Sequence, residues 1–193
     1  HPLGWLEHRI AFSGAGQYGK WLQTKNSVVK INQVLFVHGG ISPKYASIPI
    51  GEINDRLRSD LQKPPSQLEG AIFMDPLGPL WYRGMAQAPE DELATHVDAV
   101  LATFGVRHVV IGHTPTPGIV VPRFGGKVIV IDVGLSETYG STPACLMFEG
   151  PKPYALHRGH KLDLPVEIDI MGYLKTAASY DPSNSPLQRW LGR

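Results

Sequence analysis

Val34-Leu35-Phe36-Val37-His38-Gly39-Gly40-Ile41 is the stretch whose reading decides the fold. Four consecutive apolar residues suit a short strand buried on both faces, the kind found in layered α/β sheets. A histidine and two glycines then end the run. Ligands in such folds gather outside the carboxyl ends of strands. Glycine also lets the backbone turn sharply and approach an ion or phosphate that a Cβ would obstruct. A hydrogen-bonded rim histidine beside a glycine turn would satisfy the same letters, so the pattern alone leaves both readings open.

Upstream, Val28 to Ile31 precedes this strand across Asn32-Gln33, which predicts a two-strand hairpin. Before it, Leu6, Ile10 and Trp21 sit at helical positions that Gly14, Gly16 and Gly19 interrupt, so two short helices are expected. Downstream, Ile50, Ile53, Leu57 and Leu61 recur at helical spacing until Pro64-Pro65. Pro89 and three following acids open a second helix whose apolar face runs from Leu93 to Phe104 and stops at Gly105. Val106 to Ile111 then reads as a strand that delivers Gly112-His113-Thr114-Pro115, repeating the arrangement at His38. Residues 119–123 and 127–131 flank Gly125-Gly126 as a further hairpin, and 144–148 and 154–157 are short strands. After Pro165 the pattern becomes mixed. The expectation is one domain over residues 1–160 and a loosely attached extension over 161–193.

Composition narrows the function classes. The 193 residues are 42% hydrophobic, enough for a sizeable core, and 21 glycines with 17 prolines imply many turns. The formal net charge is +1 with no basic run, so neither a nucleic-acid footprint nor a polybasic membrane patch is expected. No apolar stretch reaches the roughly 20 residues of a membrane helix. A soluble chain is expected, with cytoplasmic and periplasmic placement both open. The single Cys145 rules out an intrachain disulfide or a paired-cysteine metal site, and no arginine stands six residues after it as in the cysteine phosphatase loop. HGG also serves as an oxyanion element in esterases, but no GxSxG elbow is present to supply a nucleophile.

The segments Leu35 to Ile41 and Val110-Ile111-Gly112-His113-Thr114 resemble the HGG and GH blocks of calcineurin-like metallophosphoesterases. Within that group, Gly19-Lys20-Trp21-Leu22, Leu80-Trp81-Tyr82-Arg83-Gly84, Asp132-Val133-Gly134 and Tyr139-Gly140 are similar to bacterial and Shewanella-like protein phosphatases, over about residues 1 to 160. The resemblance implies the C-terminal part of an α/β sandwich with mixed sheets flanked by helices. It implies a phosphatase that hydrolyses phosphate monoesters, of protein or small-molecule substrates, with hydroxide activated by two divalent ions, Mn, Fe or Zn. His38 and His113 would bind one ion together. The GDxHG, GDxxDRG and GNHE blocks that supply the other ligands in the family are absent, and Pro115 stands where many relatives carry a further ligand histidine. The chain is therefore expected to be incomplete at its amino end, with apolar sheet surface left uncovered.

Arg83 is the candidate catalytic and phosphate-binding residue, since a guanidinium presents paired donors to phosphoryl oxygens. Packing beside Trp81 and Tyr82 would explain it too. Gly39 and Tyr139 are further substrate-binding candidates, and Asp132 could orient a ligand or satisfy loop amides. His96, His108, His157 and His160 are expected to be structural or solvated, and His1 and His8 show no partner pattern. A second reading of the whole chain is a non-catalytic metal-binding or interaction remnant of a phosphatase domain.

Overall fold

A computed structural model describes residues 1–165 and 169–192. Helices α1 (Trp5–Phe12) and α2 (Gln17–Leu22) form the expected broken pair, followed by strands β1 (Val28–Ile31) and β2 (Val34–Val37). Helix α3 (Ile50–Asp60) comes next, then α4 (Gly84–Gln87) and α5 (Glu90–Phe104). Strands β3 (His108–Ile111), β4 (Val121–Arg123) and β5 (Val128–Val130) complete a sheet in the order β1-β2-β3-β5-β4. Its β2, β3 and β5 are parallel, whereas β1 and β4 pair antiparallel at the edges. Strands β6 (Ala144–Glu149), β7 (Lys152–His157) and β8 (His160–Asp163) make a second, antiparallel sheet, and α6 (Ile170–Ala178) and α7 (Pro186–Leu191) follow. The mixed α/β class expected from the sequence is the observed one.

Period-two alternation sorts the central strands onto two cores. Leu35, Val37, Val109, Ile111, Val128 and Val130 face one way and bury against Ile53 and Leu57 of α3 and Val97, Val100 and Phe104 of α5. Val34, Val110 and Ile129 face the other way, toward Ala155 and Leu162 of the second sheet and Leu174, Ala177 and Leu187 of the last two helices. Fully burying each Val, Leu, Ile or Phe among them is worth roughly 1.5–3 kcal/mol.

The expected loose extension is instead integral to this second core. The boundary at 160/161 falls inside β8, and Tyr173 of α6 is buried, donating its hydroxyl to the Val120 carbonyl at 2.7 Å. Asp169 caps α6 by accepting from Gly172 N, and Ser185 caps α7 by accepting from Gln188 N.

Coverage is uneven. Phe36 borders three separate cavities of about 460, 620 and 300 Å3, lined in part by Ile131 and Leu135, by Phe148, and by Val29 and His38. Leu135 is 69% exposed and Ile31 55%. Helix α1 buries no residue and α2 buries only Gly19, whose missing Cβ would lie 1.8 Å from the Ser13 carbonyl oxygen. That glycine, one of those breaking the helical pattern, is what lets the two helices touch. No described helix is long and apolar enough to cross a membrane.

Candidate active site

Strand adjacency brings the two histidine deliveries together. Val37 of β2 pairs with Ile111 of parallel β3, and the His38 carbonyl accepts from Gly112 N at 2.8 Å. Both chains leave the sheet at the same end. His38 Nε2 consequently lies 3.1 Å from His113 Nδ1.

The two histidines reach this point differently. His38 stands at the bend that ends β2 and stays exposed. His113 has φ 61°, and Thr114 N donates back to the Gly112 carbonyl at 2.6 Å. A positive φ at the centre of an i to i+2 hydrogen bond is the rare, strained form of the γ-turn. Non-glycine residues held there cost of order 1–3 kcal/mol and cluster at functional sites.

Arg83 holds that strained turn. Its Nη1 donates to the His113 carbonyl at 3.0 Å and to Thr114 Oγ1 at 3.2 Å, leaving other guanidinium donors free of described protein partners. Burial and the nearby positive charges of Arg83 and His38 push the His113 pKa below its ordinary value, outweighing Asp132, which raises it. His113 therefore stays neutral to lower pH than a free histidine. Its Nε2 is buried without a hydrogen-bond partner among the described residues.

Gly39 explains why Arg83 is in reach. Its N–H donates to the Pro79 carbonyl at 2.7 Å, and a Cβ there would lie 2.9 Å from Leu80 C and Trp81 N. The missing side chain lets residues 79–82 press against the His38 loop and places Trp81 and Arg83 beside His113. Trp81 meets the His113 ring edge-on at 5.1 Å between centroids.

The structure thus gathers His38, His113, Arg83 and Gly39 into one place. Tyr139 is 55% exposed and lines a different cavity, of about 500 Å3, with Arg158, Ser185 and Arg189. Asp132 follows β5 close enough to His113 to affect its charge, and its backbone carbonyl accepts from Thr116 N. The remaining histidines have other partners: His96 Nε2 meets the Ile41 carbonyl, His108 Nδ1 the Gly126 carbonyl and His157 Nε2 the Asp181 carboxylate, while His160 stacks on Tyr180. Trp81 and Thr114 are the site residues that sequence reasoning did not assign. An aromatic two positions before the candidate arginine was the available signal for Trp81.

No protein-family model matches the chain. An uncharacterized protein of Schizosaccharomyces pombe is 34% identical over 149 residues, 72% of this chain and 44% of that protein. Shewanella-like protein phosphatase 1 of Plasmodium berghei is 27% identical over 128 residues, 63% of this chain and 35% of that protein. Among solved structures, a cold-active protein tyrosine phosphatase superposes with a TM-score of 0.68 at 29% identity, covering 79% of this chain and 46% of its own. The tyrosine phosphatase of a psychrophilic Shewanella species superposes with a TM-score of 0.58 at 28% identity, covering 78% of this chain and 43% of its own. The chain spans less than half the length of each. It is homologous to Shewanella-like protein phosphatase and to these cold-active tyrosine phosphatases.

Proposed function

We propose that this chain carries the phosphate-binding face and half of the metal site of a calcineurin-like metallophosphoesterase that hydrolyses phosphate monoesters, phosphoproteins among them. The single observation that carries the reading is the 3.1 Å approach of His38 Nε2 to His113 Nδ1, with Arg83 fixed to the same turn. Homology to named phosphatases supports the reaction class.

The pair fits a metal ion. Metal–nitrogen bonds of about 2.0–2.1 Å at a right angle place neighbouring ligand nitrogens about 3 Å apart. Ligation requires neutral imidazole, and the lowered His113 pKa provides it. Among the described residues no group of three or more His, Cys, Asp or Glu is placed to hold an ion, so this pair would contribute two ligands of a larger set. Fe and Zn suit imidazole, whereas Mn would depend more on oxygen ligands from the rest of the set. A bound divalent ion would supply Lewis-acid polarisation of the phosphoryl group and a lowered pKa for its water.

The chain's own residues do the rest. Arg83, anchored at one nitrogen, turns its remaining donors to two phosphoryl oxygens and balances the charge that builds on them. Because the anchor is the His113 carbonyl, the guanidinium and the metal-facing imidazoles keep a fixed spacing.

A second reading has its own observation: two histidines alone form no complete site, which suits a binding module that holds an ion and an anion without turnover. Hydrolysis of p-nitrophenyl phosphate in Mn2+, by this chain completed with the amino-terminal ligand half of a homologous phosphatase, separates the two. The phosphatase reading expects metal-dependent turnover that falls by at least about 100-fold in both His38→Ala and Arg83→Ala. Metal and phosphate binding without turnover selects the binding module, and binding of neither sinks both.

A further inference from the structure

We infer that the cavity between the 137–141 turn, the β7–β8 turn and α7 is a second anion site, one that takes a phosphoryl group apart from the place proposed beside Arg83. The cavity is of about 500 Å3, and two arginines from different elements line it, Arg158 and Arg189. It shares no lining residue with the cavity beside His38. Arginines at a protein surface are usually just solvated. What sets these two apart is how they are held.

Arg158 is anchored through both its side chain and its backbone. Its Nε donates to Asp181 Oδ1 at 2.5 Å, and that carboxylate is fully buried. Its backbone N donates to the Pro143 carbonyl at 2.9 Å. Because His157 pairs with His160, Arg158 and Gly159 make a two-residue hairpin turn, and both have positive φ, 49° and 85°. Such turns favour asparagine, aspartate or glycine. An arginine there is strained, and strain of this kind gathers at functional positions. Only its Nε is engaged by Asp181, so its two Nη groups remain without a described protein partner.

Arg189 stands on α7 and donates from Nη1 to the Asn184 carbonyl, with no carboxylate paired to it among the described residues. Glu137 lines the same cavity, yet it forms no ion pair with either arginine among the described residues. The wall opposite is set by close packing. Gly140 has φ 106°, and a Cβ on it would lie 2.5 Å from Pro186 Cγ, so the turn carrying Tyr139 rests directly on the start of α7. A Cβ on Gly134 would likewise lie 2.4 Å from Tyr139 Cβ. Two guanidiniums that keep donors to spare in one cavity suit the several oxygens and double charge of a phosphoryl group better than a single carboxylate. Inorganic phosphate and a phosphorylated side chain share that chemistry.

The test is a titration of the 193-residue chain with inorganic phosphate at constant ionic strength, read by NMR at the Arg158 and Arg189 Nε–H signals, with acetate in a parallel series. The inference expects saturable shifts at both arginines with one midpoint, non-saturating shifts with acetate, and the same phosphate response in Arg83→Ala. Arg189→Gln, a change at an exposed position, should weaken phosphate at the Arg158 signal about five- to tenfold, and Arg189→Lys should recover part of the loss. A phosphoserine peptide that binds more tightly than inorganic phosphate supports the site with a phosphorylated protein segment as its ligand, and equal affinity supports it with the free anion. Equal responses to acetate and phosphate overturn the inference, since the arginines would then be an ordinary solvated face. Unchanged affinity in Arg189→Gln overturns it too, as do shifts that vanish in Arg83→Ala, which would be relayed from the first site.

Discussion

Two histidine-centred clusters sit in this molecule, and their surroundings are opposite. His157, fully buried at the end of β7, has a carboxylate 2.9 Å away: Asp181, which also accepts from Arg158 Nε at 2.5 Å. Its backbone lies in a regular strand. His113 faces another imidazole and an arginine, no carboxylate hydrogen-bonds it among the described residues, and its backbone is strained. The first arrangement sets its carboxylate between an imidazole and a guanidinium and ties the second sheet to the loop before α7, although His157 Nδ1 and Asp181 Oδ2 are buried without hydrogen-bond partners among the described residues. The second leaves an imperfectly matched set of groups held in place by the rest of the fold, as expected where a bound ion and anion complete the charge pattern.

The largest effect that would test this contrast is on stability. Asp181→Ala should cost about 3–5 kcal/mol in urea unfolding, since it strands a buried imidazole and a guanidinium without their carboxylate. A loss no greater than that of His113→Ala would erase the distinction between the clusters. Next is Gly39→Ala, whose Cβ must displace the backbone of Leu80 and Trp81. It should cost about 1–3 kcal/mol and weaken phosphate binding as Arg83 moves with the loop. Unchanged stability and phosphate affinity would show that the close packing of these loops is not what positions Arg83. His113→Gly should go the other way, stabilising the chain by about 1 kcal/mol because glycine accepts the positive φ. Destabilisation by that variant would mean the imidazole contributes more to folding than its turn costs.

The smallest effect is on acid stability. Burial pushes the Asp181 pKa up, but hydrogen bonds from Arg158, His157 and Ser185 outweigh it and hold the folded value below the ordinary one. A depressed carboxylate contributes stability that is present above the unfolded pKa of about 3.9 and is lost as pH falls through the lower folded value. Unfolding measured between pH 5 and 2 should show that loss in the wild-type chain and a shallower one in Asp181→Asn. Parallel curves would remove Asp181 from the account.

The same contrast marks what could be read from residues alone. Helices α3 and α5 and strands β2 and β3 announce themselves through apolar spacing and Pro or Gly boundaries, because each buries a regular face. Strand β8 and helix α6 do not. Only Leu162 of β8 is buried, and α6 opens on Ile170-Met171-Gly172, where the cap from Asp169 rather than a strong helical pattern sets the start. The extension looked loose because its anchors, Tyr173 to Val120 and His157 to Asp181, join residues far apart in sequence. At the site, both histidines were legible as strand-end residues, but the positive φ of His113 was not, since no glycine marks it. The contact of Trp81 with His113 is likewise visible only once the Gly39 loop has packed.

The central claim is that His38 and His113 form a shared ion site, and paramagnetic broadening of the imidazole resonances by substoichiometric Mn2+ tests it most directly. The account predicts that His38 and His113 broaden first and together, that His96, His108 and His157 stay sharp, and that His38→Ala removes the effect at His113. Broadening spread evenly over the exposed histidines, or a His113 response that survives His38→Ala unchanged, would contradict it.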